Sequence, residues 1–285
     1  MGYKKHNNIC IRIGDVNMPL SKEILKKQKQ ERLGEIRKSN EGYEMKIVEY
    51  NNANDMWIEF QDEHKVKVHT QYSAFKNKNV KNPYHPSVYN IGYLGQGKYK
   101  CIENKKITKS YEVWRDMIKR CYDPYRLNKN MTYIDCYVCD EWLCFQNFAE
   151  WWENNIYKCN NEQMALDKDI LIKRNKIYSP ETCMIVPQRI NTLFIKCNKS
   201  RGKYPIGVSE YYNKKTNYKG LVVKCNTLEK KEHLGYFPLN RPFQAFTCYK
   251  QFKENYIKQV ANEYKNIIPK ELYEALYRYE VEIND

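Results

Sequence analysis

Apolar positions along the chain change period several times, and each change predicts an element. Between residues 43 and 70, Tyr43, Met45, Ile47, Trp57, Ile58 and Phe60 fall in short β-prone runs. Lys65-Val66-Lys67-Val68-His69 then alternates polar and apolar, the period of a half-buried strand. These runs predict a small antiparallel barrel or meander. Residues 77–100, rich in Asn, Pro, Gly and Tyr, predict loops and turns. From residue 110 the period becomes helical, with Trp114, Met117, Ile118 and Cys121 on one face. Tyr133, Ile134, Tyr137 and Val138 suit a strand, and Phe145, Phe148 and Trp152 a short helix. Large aromatics at helical spacing belong in the core. Further on, β-prone runs at 206–212, 218–225 and 232–237 precede a helix from about 241. Pro242 sits in its first turn, and Phe246, Tyr249, Phe252, Tyr256 and Val260 are its apolar positions. Pro269 opens a last helix carrying Leu272, Tyr273 and Leu276. Ahead of all this, residues 19–40 predict a basic helix. Pro19 and Ser21 start it, and Ile24, Leu25, Leu33 and Ile36 stand among its lysines and arginines. The fold class expected is α+β.

Composition adds a partner class. The chain has 285 residues, enough for two or three domains, and its 42% apolar and 29% charged residues suit a folded protein. No apolar run approaches the ~18–20 residues of a membrane helix. The start, Met1-Gly2-Tyr3-Lys4-Lys5-His6, leads into no apolar segment, so no signal peptide is expected. Lys and Arg number 49 against 34 Asp and Glu, a net charge of +15. Such a balance favours polyanions, through counterion release on phosphate contact. Charge is densest at 196–232, with ten basic and three acidic residues. Ser200-Arg201-Gly202-Lys203-Tyr204-Pro205 reads there as a linker or turn. The 26 tyrosines can stack on bases or serve a protein interface. Eleven cysteines without a secretory signal imply reduced, intracellular thiols. Cys136 and Cys139 form a single C-x-x-C, with Cys144 close by and Cys121 and Cys183 elsewhere. A structural zinc needs four ligands, usually two such pairs, so the expectation is buried thiols and no assigned metal ligands.

The segment that can carry chemistry begins at Leu166-Asp167-Lys168-Asp169-Ile170. Asn175-Lys176 follow, then Tyr178-Ser179-Pro180-Glu181-Thr182-Cys183 and later Asn191. This pattern resembles the ββα-metal core of HNH nucleases, in which a strand ends in Asp-His-x-Asp and an Asn-rich loop and a Ser-Pro-Glu turn follow. The likeness covers about residues 110–195. Trp142 and Phe145-x-x-Phe148 resemble the segment preceding this core in phage-encoded members. The family's general base falls at Lys168. Phosphodiester hydrolysis needs an activated water and a cation to stabilise developing charge. An ordinary lysine, with a pKa of ~10.4, is protonated at neutral pH and is a poor base. The catalytic candidates are therefore Asp167, Lys168, Asp169 and Asn175, with none assigned. If strand alternation continues, Asp167 and Asp169 share the face opposite Lys168 and can hold Mg²⁺ or Mn²⁺ together with Asn175. The plain alternative is a salt-bridged strand and turn, with no cofactor.

Gly207-Val208, Tyr218-Lys219 and Leu234-Gly235-Tyr236-Phe237, ahead of a helix with Ala245-Phe246 and Tyr249, are similar to the plant ethylene-response-factor-type DNA-binding domain. That family lays a three-stranded sheet in the major groove, backs it with one helix, and frequently follows an HNH-type core in phage homing endonucleases. Tyr218 falls where the family carries an aromatic residue or Arg on the reading sheet, but the family's Arg pattern is sparse here. The candidate contacts to nucleic acid or a partner are Lys199, Arg201, Lys203, Lys214, Lys215, Tyr218, Lys219 and Lys224.

The expected organisation is a basic helical arm at 1–42, a small β domain at 43–105, a degenerate HNH-like ββα core at 106–198 and a sheet-plus-helix end at 199–285. The resemblances imply a phage accessory protein acting in the cytoplasm of an infected bacterium. Two functions follow. One is a non-catalytic binder, possible as a homo-oligomer, that holds nucleic acid or a host defence nuclease complex and blocks it. The other is a metal-dependent homing-type endonuclease. In size the chain is also similar to phage inhibitors of the Gabija defence nuclease, which encase it as oligomers; no matched residue carries that likeness.

Overall fold

Buried and exposed positions alternate along Asp55–Phe60 and, on either side of a register shift between Ile47 and Glu49, along Glu44–Asn52, as a sheet with one wet face requires. The computed structural model describes residues 10–13, 16–19, 22–129, 133–194, 202–283 and 285. They belong to two compact units: residues 1–98 with 144–146, and the remainder.

In the first unit, β1 (Cys10–Ile13) and β2 (Val16–Pro19) form an antiparallel hairpin. Helix α1 (Lys22–Arg32) follows. Then β3 (Ile36–Lys38), β4 (Glu44–Asn52), β5 (Asp55–Phe60) and β6 (Lys67–Thr70) make a four-stranded antiparallel meander in chain order. Its apolar face, Met45, Ile47, Tyr50, Met56, Ile58 and Phe60, closes over Phe75 of α2 (Tyr72–Lys76). The meander bears out the alternation. The basic helix is shorter than the 19–40 expected: it stops at Arg32, and Ile36–Lys38 pair with β4. Gly34, at φ +86°, makes the break, because a residue with a Cβ is strained in that conformation. Ser21, expected at the helix start, lies outside the described residues.

The second unit opens with the short pair β7 (Ile102–Glu103) and β8 (Lys106–Ile107). Helix α3 (Lys109–Tyr122) buries the predicted stripe of Trp114, Met117, Ile118 and Cys121. After α4 (Pro124–Lys129), the expected strand around 133–138 is reduced to β9 (Tyr137–Val138). Helices α5 (Asp140–Leu143) and α6 (Phe145–Asn155) place Trp142, Phe148 and Trp152 in the interior. There Trp114 Nε1 donates to the Trp142 carbonyl at 2.7 Å. Strand β10 (Met164–Asp167) pairs antiparallel with β12 (Met184–Pro187), and the two-residue β11 (Ile177–Tyr178) pairs parallel with β9. The short helix α7 (Gln188–Thr192) follows.

Strands β13 (Val208–Asn213), β14 (Tyr218–Asn226) and β15 (Lys231–Phe237) form the expected three-stranded antiparallel sheet. It is backed by α8 (Pro242–Tyr264), whose 23 residues span about 35 Å. The first half of α8 packs Ala245, Phe246 and Tyr249 against Val208, Leu221, Val223 and Cys225. Its second half packs Tyr256, Ile257, Val260 and Ala261 against Ile170, Val186, Ile190 and the Leu272 and Leu276 of α9 (Lys270–Tyr277). One helix thus forms part of two apolar clusters. Arg189 ties α7 to Glu229 at 3.0 Å and to Glu263 at 3.5 Å.

Candidate functional site

Strand β10 ends at Asp167 for a local reason. The Asp167 carboxylate oxygen Oδ1 accepts the backbone N–H of Asp169 at 2.8 Å and of Ile170 at 2.7 Å, which turns the chain instead of extending it. Strand alternation therefore fails at Lys168. The Lys168 side chain folds into the loop and is 8% exposed. Its Nζ donates to both Asp169 oxygens, at 2.9 and 2.8 Å, and to the Asn175 carbonyl. An ammonium has three donors, and all three are engaged. The Asn175 amide closes the loop from the other side: Nδ2 donates to the Lys168 and Ile177 carbonyls at 2.9 and 2.6 Å, and Oδ1 accepts Ile177 N–H at 3.0 Å. Thr182 Oγ1 donates to Ile177 O at 2.8 Å and sits 3.1 Å from Ser179 Oγ. Burial pushes the Asp167 carboxyl above the usual carboxylate range, against the two backbone N–H groups that favour its charge.

The four candidates thus meet in one loop, in a different arrangement from the one expected. Asp167 Oδ1 accepts two backbone amides, Asp169 faces an ammonium, and Asn175 Oδ1 accepts an N–H group. These atoms are already engaged, whereas a hard cation takes anionic or carbonyl oxygens that are free to converge. Among the described residues, no three His, Cys, Asp or Glu side chains group as metal ligands. Cys121, Cys136 and Cys183 are buried thiols. Burial drives Cys121 and Cys183 up to about 12, and also raises Cys136. Cys139 is less enclosed than Cys136.

The C-terminal sheet has one face on α8 and one face without a covering element among the described residues. On the second face Tyr211 stands beside Gly220, Val222 beside Tyr236, and Lys224 beside His233. Rings crowd it: Tyr236 lies 4.6 Å from both Tyr211 and His233 between centroids. Tyr218 and Tyr236 remain 42% and 53% exposed. A bulge produces this clustering. The register of β15 slips between Val223 and Lys224, and Gly235 takes φ +144°. His233 and Tyr236, three apart, would otherwise fall on opposite faces.

Of the eight predicted contact residues, Tyr218 and Lys224 lie on this open face. Lys214 and Lys215 stand in the exposed turn joining β13 to β14. Lys219 falls on the opposite face, paired in register with Tyr212. Lys203 is engaged with Glu210 at 2.9 Å. Lys199 and Arg201 lie outside the described residues. Tyr211, His233 and Tyr236 are not among the predicted contacts, although Tyr236 stands in the Leu234–Phe237 motif; Gly235 inside a strand is the signal for the bulge that aligns them. No family model, curated protein or solved structure matches the chain.

Proposed function

We propose that the chain is a non-catalytic nucleic-acid-binding protein that grips its ligand with the open face of the C-terminal sheet. One observation carries this reading: Tyr218, Tyr211, Tyr236 and His233 line an uncovered face bordered by Lys224, Lys231, Lys214 and Lys215. Rings on an open sheet stack on unpaired bases while lysines meet the backbone, so single strands are the preferred form. The loop at 167–177 supports the non-catalytic half, since the residue in place of the HNH base serves as a three-bond fastener. A phage accessory role fits a grip of this kind, shielding nucleic acid from a host defence nuclease.

Fluorescence anisotropy with labelled single-stranded and duplex oligonucleotides tests the reading. Tyr236→Ala and Tyr218→Ala should each weaken single-strand binding at least about tenfold, from about 1–3 kcal/mol per stacked base. Equal affinity of both variants and wild type would remove the face from the account. A second reading, a protein partner such as the defence nuclease complex, is favoured by exposed Leu239 and Phe243, which follow Tyr236 in sequence. Pull-down from infected cells that survives Tyr236→Ala and is lost in Phe243→Ala would favour it.

A further inference from the structure

Lys253 is the one place where α8 puts a cation into its buried stripe. The residue is only 9% exposed, and among the described residues its ammonium makes no hydrogen bond or ion pair. The stem is buried, but Nζ itself is not sealed from solvent. Burial lowers its pKa, against a weaker opposing effect of the nearby Cys225 thiol. Lys253 does not sit in solid core. It lines a cavity of about 430 Å³, within the usual range for small-molecule sites. Two further lysines, Lys224 and Lys231, line the same cavity. Among the described residues that line it, Asp285 carries the one side-chain carboxylate, engaged by Lys173 at 3.3 Å. The described lining thus has more ammonium groups than carboxylate side chains. Another part of the wall is aromatic, where Phe194 and Tyr279 pack at 4.7 Å between ring centroids.

We propose that this cavity binds a small phosphate-bearing molecule of the mononucleotide kind, with its phosphate on Lys253, Lys224 and Lys231 and its planar part against Phe194 and Tyr279. A phosphate supplies acceptor oxygens for several ammonium donors at once, and charge-assisted hydrogen bonds of this kind are stronger than neutral ones. The site shares Lys224 and Lys231 with the border of the open sheet face but none of its rings, so Lys253 is the side chain that tells the two apart.

Isothermal titration calorimetry on the full chain, with inorganic phosphate, AMP and adenosine at constant ionic strength, tests it. AMP should bind most tightly, phosphate more weakly, and adenosine least. Lys253→Met keeps the volume and removes the charge; it should weaken AMP at least about tenfold, as expected for a lost charge-assisted hydrogen bond. The same variant should melt at or above the wild-type temperature, by roughly 2–4 °C, because it deletes a partly desolvated charge. Lys231→Ala, at an exposed position, should also weaken AMP and keeps the test open if Lys253→Met does not fold. Unchanged AMP affinity in a folded Lys253→Met protein, or in Lys231→Ala where the first does not fold, would overturn the proposal. So would adenosine binding as tightly as AMP.

Discussion

Replacing Lys168 by Met asks whether this side chain fastens the loop. Methionine keeps most of the length and apolar body but removes three donors. Two of the bonds lost go to Asp169, whose side chain is 51% exposed. That carboxylate rehydrates, so the pair itself contributes no more than about 1 kcal/mol. The third goes to the half-buried Asn175 carbonyl, and leaving such an acceptor unmet costs about 1–3 kcal/mol. The total is about 1–4 kcal/mol. At roughly 2–4 °C per kcal/mol for a unit of this size, Tm should fall by about 2–16 °C. Asp169→Ala should also destabilise, because it leaves a buried ammonium with only the Asn175 carbonyl. The Lys168→Met/Asp169→Ala double variant should lose less than the sum, with a coupling of about 1 kcal/mol. Thermal melting by circular dichroism, with urea midpoints as a check, reads all four proteins. A Lys168→Met protein melting within about 1 °C of wild type, with no coupling to Asp169, would refute the fastener.

Three further outcomes follow from the same geometry. The Asp167 carboxyl is held above its unfolded range by burial, so the folded state binds its proton more readily, and this group takes stability away as pH rises through that window. Asp167→Asn, whose Oδ1 can still accept the Asp169 and Ile170 amides, should therefore equal or exceed wild type at pH 7 and lose its advantage in acid; a variant less stable than wild type at pH 7 would contradict this. If Lys214, Lys215, Lys224 and Lys231 meet phosphates, log Kd for a single strand should change with log salt with a slope of about 2.8, roughly fiftyfold between 50 and 200 mM; a flat response in the anisotropy assay would remove the phosphate contacts. Cys121 and Cys183, pushed up to about 12 by burial, should resist maleimide at pH 8 in the native protein and react only in urea, as mass spectrometry of the labelled peptides would show; rapid native labelling of either thiol would contradict their enclosure.

The parts of the fold that could be read in advance are those with a repeated period. The α3 stripe from Trp114 to Cys121, the β-prone runs that become β4 and β5 and the apolar positions of α8 each announce an element, and each supplies buried side chains. Local chemistry decided the rest. A carboxylate at Asp167 that captures two amides stops a strand where alternation alone would continue it, and so reverses the side on which Lys168 lies. Gly34 converts the tail of the anticipated basic helix into a strand. At the binding face, period two correctly separates Lys219 from Tyr218, yet it hides the grouping of His233 with Tyr236, which needs a one-residue slip. Lys253 is absent from the apolar positions predicted for α8; a single cation beside Phe252 was the available signal, but the cavity that receives it comes from segments far apart in sequence.

The most direct measurement is an agarose gel of supercoiled plasmid, partly melted to expose single strands, incubated with purified protein and Mg²⁺ or Mn²⁺. A gripping protein whose Lys168 is a fastener retards the plasmid and leaves it supercoiled once the protein is stripped away. Nicked or linear product from the wild type, absent with Asp167→Ala and Asp169→Ala, would contradict the account.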